Sequence, residues 1–439
     1  MTSRRPTSKA KLAIPLLVFA AMLGVLTLVN GSSGSPAPRA TGATAETSGQ
    51  PRNTEELIES LQERVRADPS EAAGYAELGD AYLQRTRETG DFAFYSRAQR
   101  AFDEARAREP DNAGAIVGAG TLALARHDFG EGLRLGQRAL ALAPQTVRPY
   151  SVIVDGQIEL GRYEAAARSL QTMIDSKPTL ASYTRVSYYR ELHGDLPGAI
   201  EAMRLAVSAG GGTPEGTAFA QTLLGDLLLN AGDVTGARRA YAQALIGVPG
   251  HLPARAGLAR VDVARGRLAA AQRRLRAVSD RLPLPTYLTP LAEIELARGR
   301  RAAARGDLEL IRAQRRLLQA AGTRTDVELV LFEADHGDAA RAVRLGRRVL
   351  ASAPSVRSQD ALGWALTRAG RPRAGLRLAQ RALRLGSVDP AFHYHAGMAA
   401  AATGDASRAR RGLRRALNLN PSFSPYHAQR ARRALARLS

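Results

Sequence analysis

Beyond residue 54 the chain repeats short apolar segments whose hydrophobic positions recur at helical spacing. Ala166, Leu170 and Met173, for example, are four and three residues apart and are separated mainly by polar side chains. Such intervals bring apolar residues onto one face of an α-helix. The same interval recurs at Ala271, Leu275 and Val278 and again at Ala409, Leu413 and Ala416. The pattern therefore predicts a series of amphipathic helices that each bury one face.

Proline and glycine recur at a period close to 34 residues and mark where these helices end and turn. Prolines follow the apolar segments at Pro110, Pro144, Pro178, Pro249, Pro283, Pro354 and Pro421. Glycines stand at Gly161, Gly194, Gly232, Gly266, Gly299, Gly337, Gly370 and Gly404, and five residues later stand Ala166, Ala199, Ala237, Ala271, Ala304, Ala342, Gly375 and Ala409. Glycine adopts the left-handed conformation of a tight turn cheaply, and proline cannot continue a helix. Each unit is therefore predicted to be a pair of helices that approach closely at the small residue.

Spacing and residue type together resemble the tetratricopeptide repeat (TPR) family. One repeat carries the family pattern at Leu78, Gly79, Tyr82, Ala98, Phe102, Ala105 and Pro110, and a later one at Leu224, Gly225, Leu228, Gly232, Ala237, Tyr241, Ala244 and Pro249. About ten such units fit between residues 68 and 421. The resemblance implies an all-α, right-handed superhelical solenoid of about ten TPR-like helical hairpins. It also implies that the first helices line a concave groove and that the second helices face outward.

Two sets of candidate binding residues follow from that resemblance. The groove is expected to carry Phe219, Thr222, Asp226, Asp360, Trp364, Tyr394 and Met398. The outward face is expected to carry an anion-binding surface of Arg273, Arg344, Arg348, Arg377, Arg381, Arg411, Arg414 and Arg415. Spacings of three and four place these arginines opposite the apolar stripe. Because the guanidinium group binds phosphate and carboxylate through two parallel hydrogen bonds, this surface is expected to contact anionic lipid or an envelope polymer.

The N-terminus predicts a membrane anchor followed by a tether. A basic segment, residues 1–11, precedes an uncharged apolar stretch, residues 12–29. Eighteen helical residues reach about 27 Å, enough to cross a bilayer. The positive charges keep the N-terminus cytoplasmic and send the remainder across, unless the signal is cleaved and the protein is secreted. Residues 30–53 are predicted to be a disordered Gly/Ser/Pro/Ala linker, residues 54–423 the solenoid and residues 424–439 a C-terminal capping helix.

Composition narrows the possible chemistry. The net charge is +21, from 62 Lys and Arg against 41 Asp and Glu, and residues 251–439 alone carry 36 − 14 = +22. Nearly all of this charge is arginine, a bias typical of a bacterial, GC-rich genome. The absence of cysteine excludes disulfides, thiol nucleophiles and Cys-ligated metals. Neither a cofactor nor a metal is expected.

Short histidine motifs are the only suggestion of catalysis. His193-Gly-Asp195 and His336-Gly-Asp338 resemble catalytic sequences, with His127-Asp128 as a partial third copy. All three fall at the turn between paired helices, where Asp is expected to begin the second helix and His to close the first. His393 and His395 are two residues apart on a helix and cannot share a metal ion. The chain is therefore predicted not to be an enzyme.

The sequence favours a membrane-tethered protein–protein interaction scaffold that uses the concave groove. Its expected partners are membrane or envelope proteins, without a small-molecule substrate. One alternative is a cytoplasmic regulatory or nucleic-acid-associated protein that acts through the Arg-rich C-terminal half, although the N-terminal stretch makes nucleic acid the weaker expectation. The other is a secreted adaptor released by signal cleavage.

Overall fold

The computed structural model describes residues 53–210, 214–320, 322–324 and 326–438. These residues form 22 α-helices and no β-strand. The chain divides into two compact units. The first contains residues 53–185 and the described residues of 317–324. The second contains the described residues of 186–316 and residues 326–438. The predicted anchor, residues 12–29, and all but residue 53 of the predicted linker lie outside the described residues. None of the described helices is both long enough and apolar enough to span a bilayer.

The helices follow one another with short connections. The first eleven are α1 (Thr54–Ala67), α2 (Ala72–Thr89), α3 (Ala93–Arg108), α4 (Ala113–Ala125), α5 (Phe129–Leu142), α6 (Arg148–Glu159), α7 (Tyr163–Ser176), α8 (Leu180–Leu192), α9 (Leu196–Ala209), α10 (Pro214–Asn230) and α11 (Val234–Gly247). The rest are α12 (Leu252–Ala264), α13 (Leu268–Arg281), α14 (Pro285–Ala297), α15 (Arg301–Ala320), α16 (Val327–His336), α17 (Ala339–Ser352), α18 (Val356–Arg368), α19 (Pro372–Ala382), α20 (Pro390–Ala402), α21 (Ala406–Leu419) and α22 (His427–Leu438). From α2 to α21 they form ten consecutive pairs, which confirms the repeated helical hairpin.

Proline ends the second helix of a pair as the sequence predicted. Each of the seven helices followed by a periodic proline stops two residues before it; α3, for example, ends at Arg108 ahead of Pro110. The residue before proline is pushed out of the helical conformation, so the boundary is set locally. The pair α14 and α15 lacks such a proline at its end. There α15 continues to Ala320.

The turn within a pair closes through one recurrent hydrogen bond. In eight pairs the third residue after the first helix donates its N–H to the carbonyl five positions back, as Asp233 does to Leu228 at 2.8 Å. This bond defines the Schellman motif, which needs a left-handed residue before the donor. In the pair α4 and α5 that residue is His127, with a φ of 60°. The other seven pairs use periodic glycines, and seven of the eight periodic glycines have positive φ. Gly337 is the exception, because the Glu333 carboxylate accepts the Asp338 N–H at 3.2 Å instead.

Small residues control how closely the paired helices pack. All eight alanine or glycine residues that follow the turn are buried, seven of them with no exposed surface. In the pair α10 and α11, the ring of Tyr241 lies against Gly225 and, on its other side, against Gly257 of α12. First helices also pack on the first helix of the next pair, as α16 does on α18 and α18 on α20. Charged side chains on the second helices, such as Arg344, Arg377 and Arg411, are exposed to solvent.

Candidate partner-binding surfaces

The predicted groove residues are mostly interior. Six of the seven side chains are buried, namely Phe219, Thr222, Asp226, Asp360, Trp364 and Tyr394, and only Met398 is partly exposed. Trp364 has 2% of its surface exposed and Tyr394 none. None of the six presents a side chain to solvent, so the surface open to a partner differs from the one expected. Side chains of neighbouring helices cover them, as Arg260 contacts Asp226 and Asp335 contacts Trp364.

Asp226 illustrates what these polar residues do instead. Its Oδ1 accepts a hydrogen bond from the Tyr241 hydroxyl at 2.5 Å and another from Arg260 of α12. Burial raises the pKa of Asp226, against the opposing pull of Arg260 and Tyr241. The carboxylate thus joins two helices of one pair to the first helix of the next.

The same ion-pair arrangement recurs between successive first helices. Asp155 of α6 accepts from Arg185 of α8 at 2.9 and 2.7 Å, and Asp360 of α18 contacts the His395 imidazole of α20 at 2.8 Å. With Asp226 and Arg260, the paired residues lie 30, 34 and 35 positions apart. In the sequence, each of these pairs is an acidic residue followed about one repeat later by a basic residue. That spacing is the signal that could have predicted these contacts between successive repeats.

Trp364 belongs to a buried polar and aromatic cluster near the C-terminus. Its indole N–H donates to Asp335 Oδ1 at 3.0 Å, and His427 of α22 contacts the same oxygen at 3.1 Å. The His395 ring stacks on the indole with centroids 4.6 Å apart. Burial alone would raise the pKa of Asp335, but the charge of His427 and two further histidines holds it well below its usual range. The tryptophan therefore fills an inter-repeat gap.

Seven of the predicted arginines form an exposed surface, which we call the arginine face. These are Arg344 and Arg348 on α17, Arg377 and Arg381 on α19, and Arg411, Arg414 and Arg415 on α21. All seven are exposed, and none forms an ion pair with another described residue. They lie on the second helices of three consecutive pairs, as the charge periodicity predicted.

The arginine face has almost no acidic counterpart. Residues 339–438 contain twenty arginines and three acidic residues, Asp360, Asp389 and Asp405. Asp360 is paired inside with His395, whereas Asp389 and Asp405 begin α20 and α21 by accepting backbone N–H groups. Few carboxylates therefore balance the positive charge at this surface, and the arginine face contains no exposed large hydrophobic residue.

The eighth predicted arginine, Arg273, lies two repeats earlier and borders a cavity of about 500 Å³. This cavity, here called the arginine pocket, adjoins α13 and the turn between α14 and α15. It is lined by Ala269, Gln272, Arg273, Arg276, Ala277, Asp280, Arg298 and Arg300. Sequence reasoning missed Arg298 and Arg300 because they belong to the turn of the next pair, outside the second-helix stripe.

A second cavity, of about 50 Å³, contains two carboxyl groups with shifted pKa values. Its lining includes Glu191 of α8, Asn230 of α10, Arg357 of α18 and Asp389. Burial, reinforced by the charges of Asp389 and Asp226, raises the pKa of Glu191 to about 8. Burial also raises the pKa of Asp389 to about 6. The Asn230 amide donates to Glu191 at 3.4 Å, which favours the charged carboxylate and partly opposes the effect of burial.

The histidine motifs have the structural role that the sequence predicted. Asp195 and Asp338 begin α9 and α17, accepting N–H groups of Gly198 at 2.9 Å and Ala340 at 2.7 Å. His193 closes α8 through a 2.7 Å contact to the Tyr189 carbonyl. Across the described residues there is no cluster of three or more potential metal ligands. His427 faces His395, with ring centroids 6.2 Å apart.

Comparison with solved structures finds helical-repeat proteins at low identity. A thermophilic TPR protein of Thermus thermophilus is 20% identical, with a TM-score of 0.36 over 42% of this chain and 98% of that chain. The P58(IPK) TPR domain is 12% identical, with a TM-score of 0.29 over 88% and 94% of the two chains. The human IFIT1 dimer with PPP-AAAA is 15% identical, with a TM-score of 0.46 over 76% and 78%.

Family profiles give more local matches. Among curated protein sequences, none is similar enough to this chain to count as a relative. Residues 228–289, which run from the end of α10 into α14, match one tetratricopeptide repeat family, and residues 361–426, from α18 to the start of α22, match another. Both matched families are repeats and neither is enzymatic. Residues 228–289 and 361–426 of this run of helical pairs are thus similar to tetratricopeptide repeats.

Proposed function

We propose that this protein is a non-enzymatic scaffold for protein–protein interaction, held at a membrane by its N-terminus. The observation that carries the proposal is the run of ten helical pairs, two stretches of which match tetratricopeptide repeats. TPR proteins generally mediate protein–protein interaction. A stack of such pairs offers a long surface that recognises a partner without performing chemistry on it.

The tether rests on the sequence of residues 1–53. An apolar stretch of 18 residues behind four positive charges favours a signal anchor with the repeats on the outer side. The predicted linker, residues 30–53, would span roughly 25–30 Å as a coil, which would let the repeats reach a partner in the same membrane. Tethering raises the effective concentration of such a partner without any additional contact.

Topology reporters test the tether directly. We would fuse reporters that are active on only one side of the membrane at Ser48 and at Ser439, and assay the membrane fraction. Exterior signal at both positions agrees with the anchored scaffold. Cytoplasmic signal at both positions refutes it and makes the cytoplasmic, nucleic-acid-associated alternative the leading one. Exterior signal only in the medium identifies the secreted adaptor.

Within this proposal, the arginine face orients the repeats on anionic lipid. Seven exposed guanidinium groups without carboxylate partners form charge-assisted hydrogen bonds to lipid phosphates. The aromatic side chains of residues 327–438 are buried or half-buried, so bases of a nucleic acid would find no exposed ring on which to stack. Charge and composition of this surface therefore favour a lipid headgroup layer over single-stranded nucleic acid.

Hydrogen exchange on the full-length chain reconstituted into vesicles tests this contact. With phosphatidylglycerol in the bilayer, amides of α17, α19 and α21 should gain protection that phosphatidylcholine alone does not give. Each surface arginine contributes about 1 kcal/mol, so R344Q/R348Q/R377Q/R381Q should lower the equilibrium constant for docking about a thousandfold. The charge-matched control R168Q/R204Q/R238Q/R239Q removes exposed arginines from earlier second helices. Equal loss in both variants would refute a specific arginine face.

A further inference from the structure

The arginine pocket brings four guanidinium groups to one concave site. Arg273 and Arg276 project from α13, and Arg298 and Arg300 come from the turn after α14. Asp280 is the only carboxylate in the lining. Glu295 and Asp307 behind the wall pair with Arg276, so three carboxylates offset the four guanidinium groups and the cavity keeps a net positive charge. The concave wall concentrates that potential on whatever enters.

Two of the four arginines are fixed by buried partners behind the cavity wall. Arg276 donates to Glu295 at 2.8 Å and to Asp307 at 2.8 and 2.9 Å. Gln272 donates to Glu295 at 3.0 Å and accepts from Arg298. Arg276 uses three of its five N–H donors in these bonds, which leaves donors for a ligand. The network therefore holds Arg276 and Arg298 in place before any ligand binds, which reduces the entropy cost of binding.

The other two arginines are available to close on a ligand. Arg273 and Arg300 are exposed, and neither forms an ion pair with a described residue. Two fixed and two adjustable guanidinium groups can surround a tetrahedral oxyanion from several directions. A carboxylate offers only two oxygens and one charge, so a phosphate group makes fuller use of this arrangement.

We propose that the arginine pocket binds the phosphate group of a small organic phosphate. A volume of about 500 Å³ lies within the range of small-molecule sites and far exceeds a lone phosphate ion. The remaining space accommodates the organic part, against the side chains of Ala269 and Ala277. The phosphate belongs either to a soluble molecule or to a lipid headgroup. The site depends neither on the membrane anchor nor on the arginine face.

Calorimetric titration of the full-length chain in non-ionic detergent tests the site, with inorganic phosphate as the first probe. We expect saturable one-site binding that weakens at least tenfold in R273Q/R300Q, because two of the four charge-assisted contacts are lost. The control R265Q/R281Q removes two exposed arginines, without ion-pair partners among the described residues, from the pair α12 and α13, and neither of them lines the pocket. It should retain wild-type affinity. Circular dichroism verifies that both variants keep the wild-type helix content.

Two further titrations distinguish the source of the phosphate. Glycerol 3-phosphate represents a soluble ligand, and dihexanoylphosphatidylglycerol added to the same micelles represents a lipid headgroup. The probe that binds more tightly identifies the source of the phosphate. Its affinity should fall in R273Q/R300Q and stay at the wild-type value in the control. Absence of phosphate binding, or equal weakening in both double variants, overturns the proposal. Because the arginine face is intact in R273Q/R300Q, vesicle docking of that variant tests the proposed function separately.

Discussion

Replacing Asp226 by Asn tests whether this predicted groove residue stabilises the fold or binds a partner. Asp226 is 4% exposed, and its carboxylate accepts from Tyr241 and Arg260. Asn keeps an oxygen for the Tyr241 hydroxyl but leaves the guanidinium of Arg260 without its counter-charge. Removing one partner of a buried pair costs about 3–5 kcal/mol. Since the Arg260 side chain is 18% exposed, water recovers part of that loss, and we expect destabilisation of about 2–3 kcal/mol.

Urea unfolding followed by circular dichroism at 222 nm measures this change. D226N should shift the midpoint of the transition that contains α10 to α13 to lower urea. The double variant D226N/R260M removes both charges and should recover most of the lost stability, because no uncompensated charge remains. If D226N unfolds like the wild type and instead loses a partner protein, Asp226 is a binding residue and the structural assignment is wrong.

Two further predictions concern packing and pH. Gly257→Ala should destabilise by about 1–3 kcal/mol, because its Cβ would lie 2.4–2.6 Å from ring atoms of the fully buried Tyr241. Gly306→Ala, exposed on α15 with nothing within 4 Å, should instead stabilise by about 0.5–1 kcal/mol; equal unfolding midpoints for the two variants would contradict this reasoning. The pKa of Glu191 is raised to about 8 from 4.5, so its stabilising contribution is complete below pH 4.5 and is lost as pH rises to 8. Glu191→Gln should therefore flatten the fall in unfolding free energy between pH 4.5 and 8, a change of about 2–4 kcal/mol, and an unchanged pH profile would exclude Glu191 as its source.

The sequence alone determined the local architecture. Proline at a fixed period ended the helices, glycine supplied the left-handed residue at seven of eight turns, and alanine marked the closest approach of paired helices. Each of these effects depends on a residue's own backbone preferences or size, so it can be read from one position and its neighbours. The exposed arginine stripe followed from the same helical periodicity.

Only the tertiary structure decided which side chains remain open to a partner. The expected groove residue Trp364 is buried because Asp335 and His427, 29 residues before it and 63 after it, converge on its ring. The arginine pocket likewise joins Arg273 to Arg300 from the next helical pair. Contacts between side chains of different helical pairs depend on how each pair is rotated relative to the next. That rotation is set by the packing of many side chains together. Periodicity along the chain carries no information about this rotation, which is why the repeat was predictable and its binding surfaces were not.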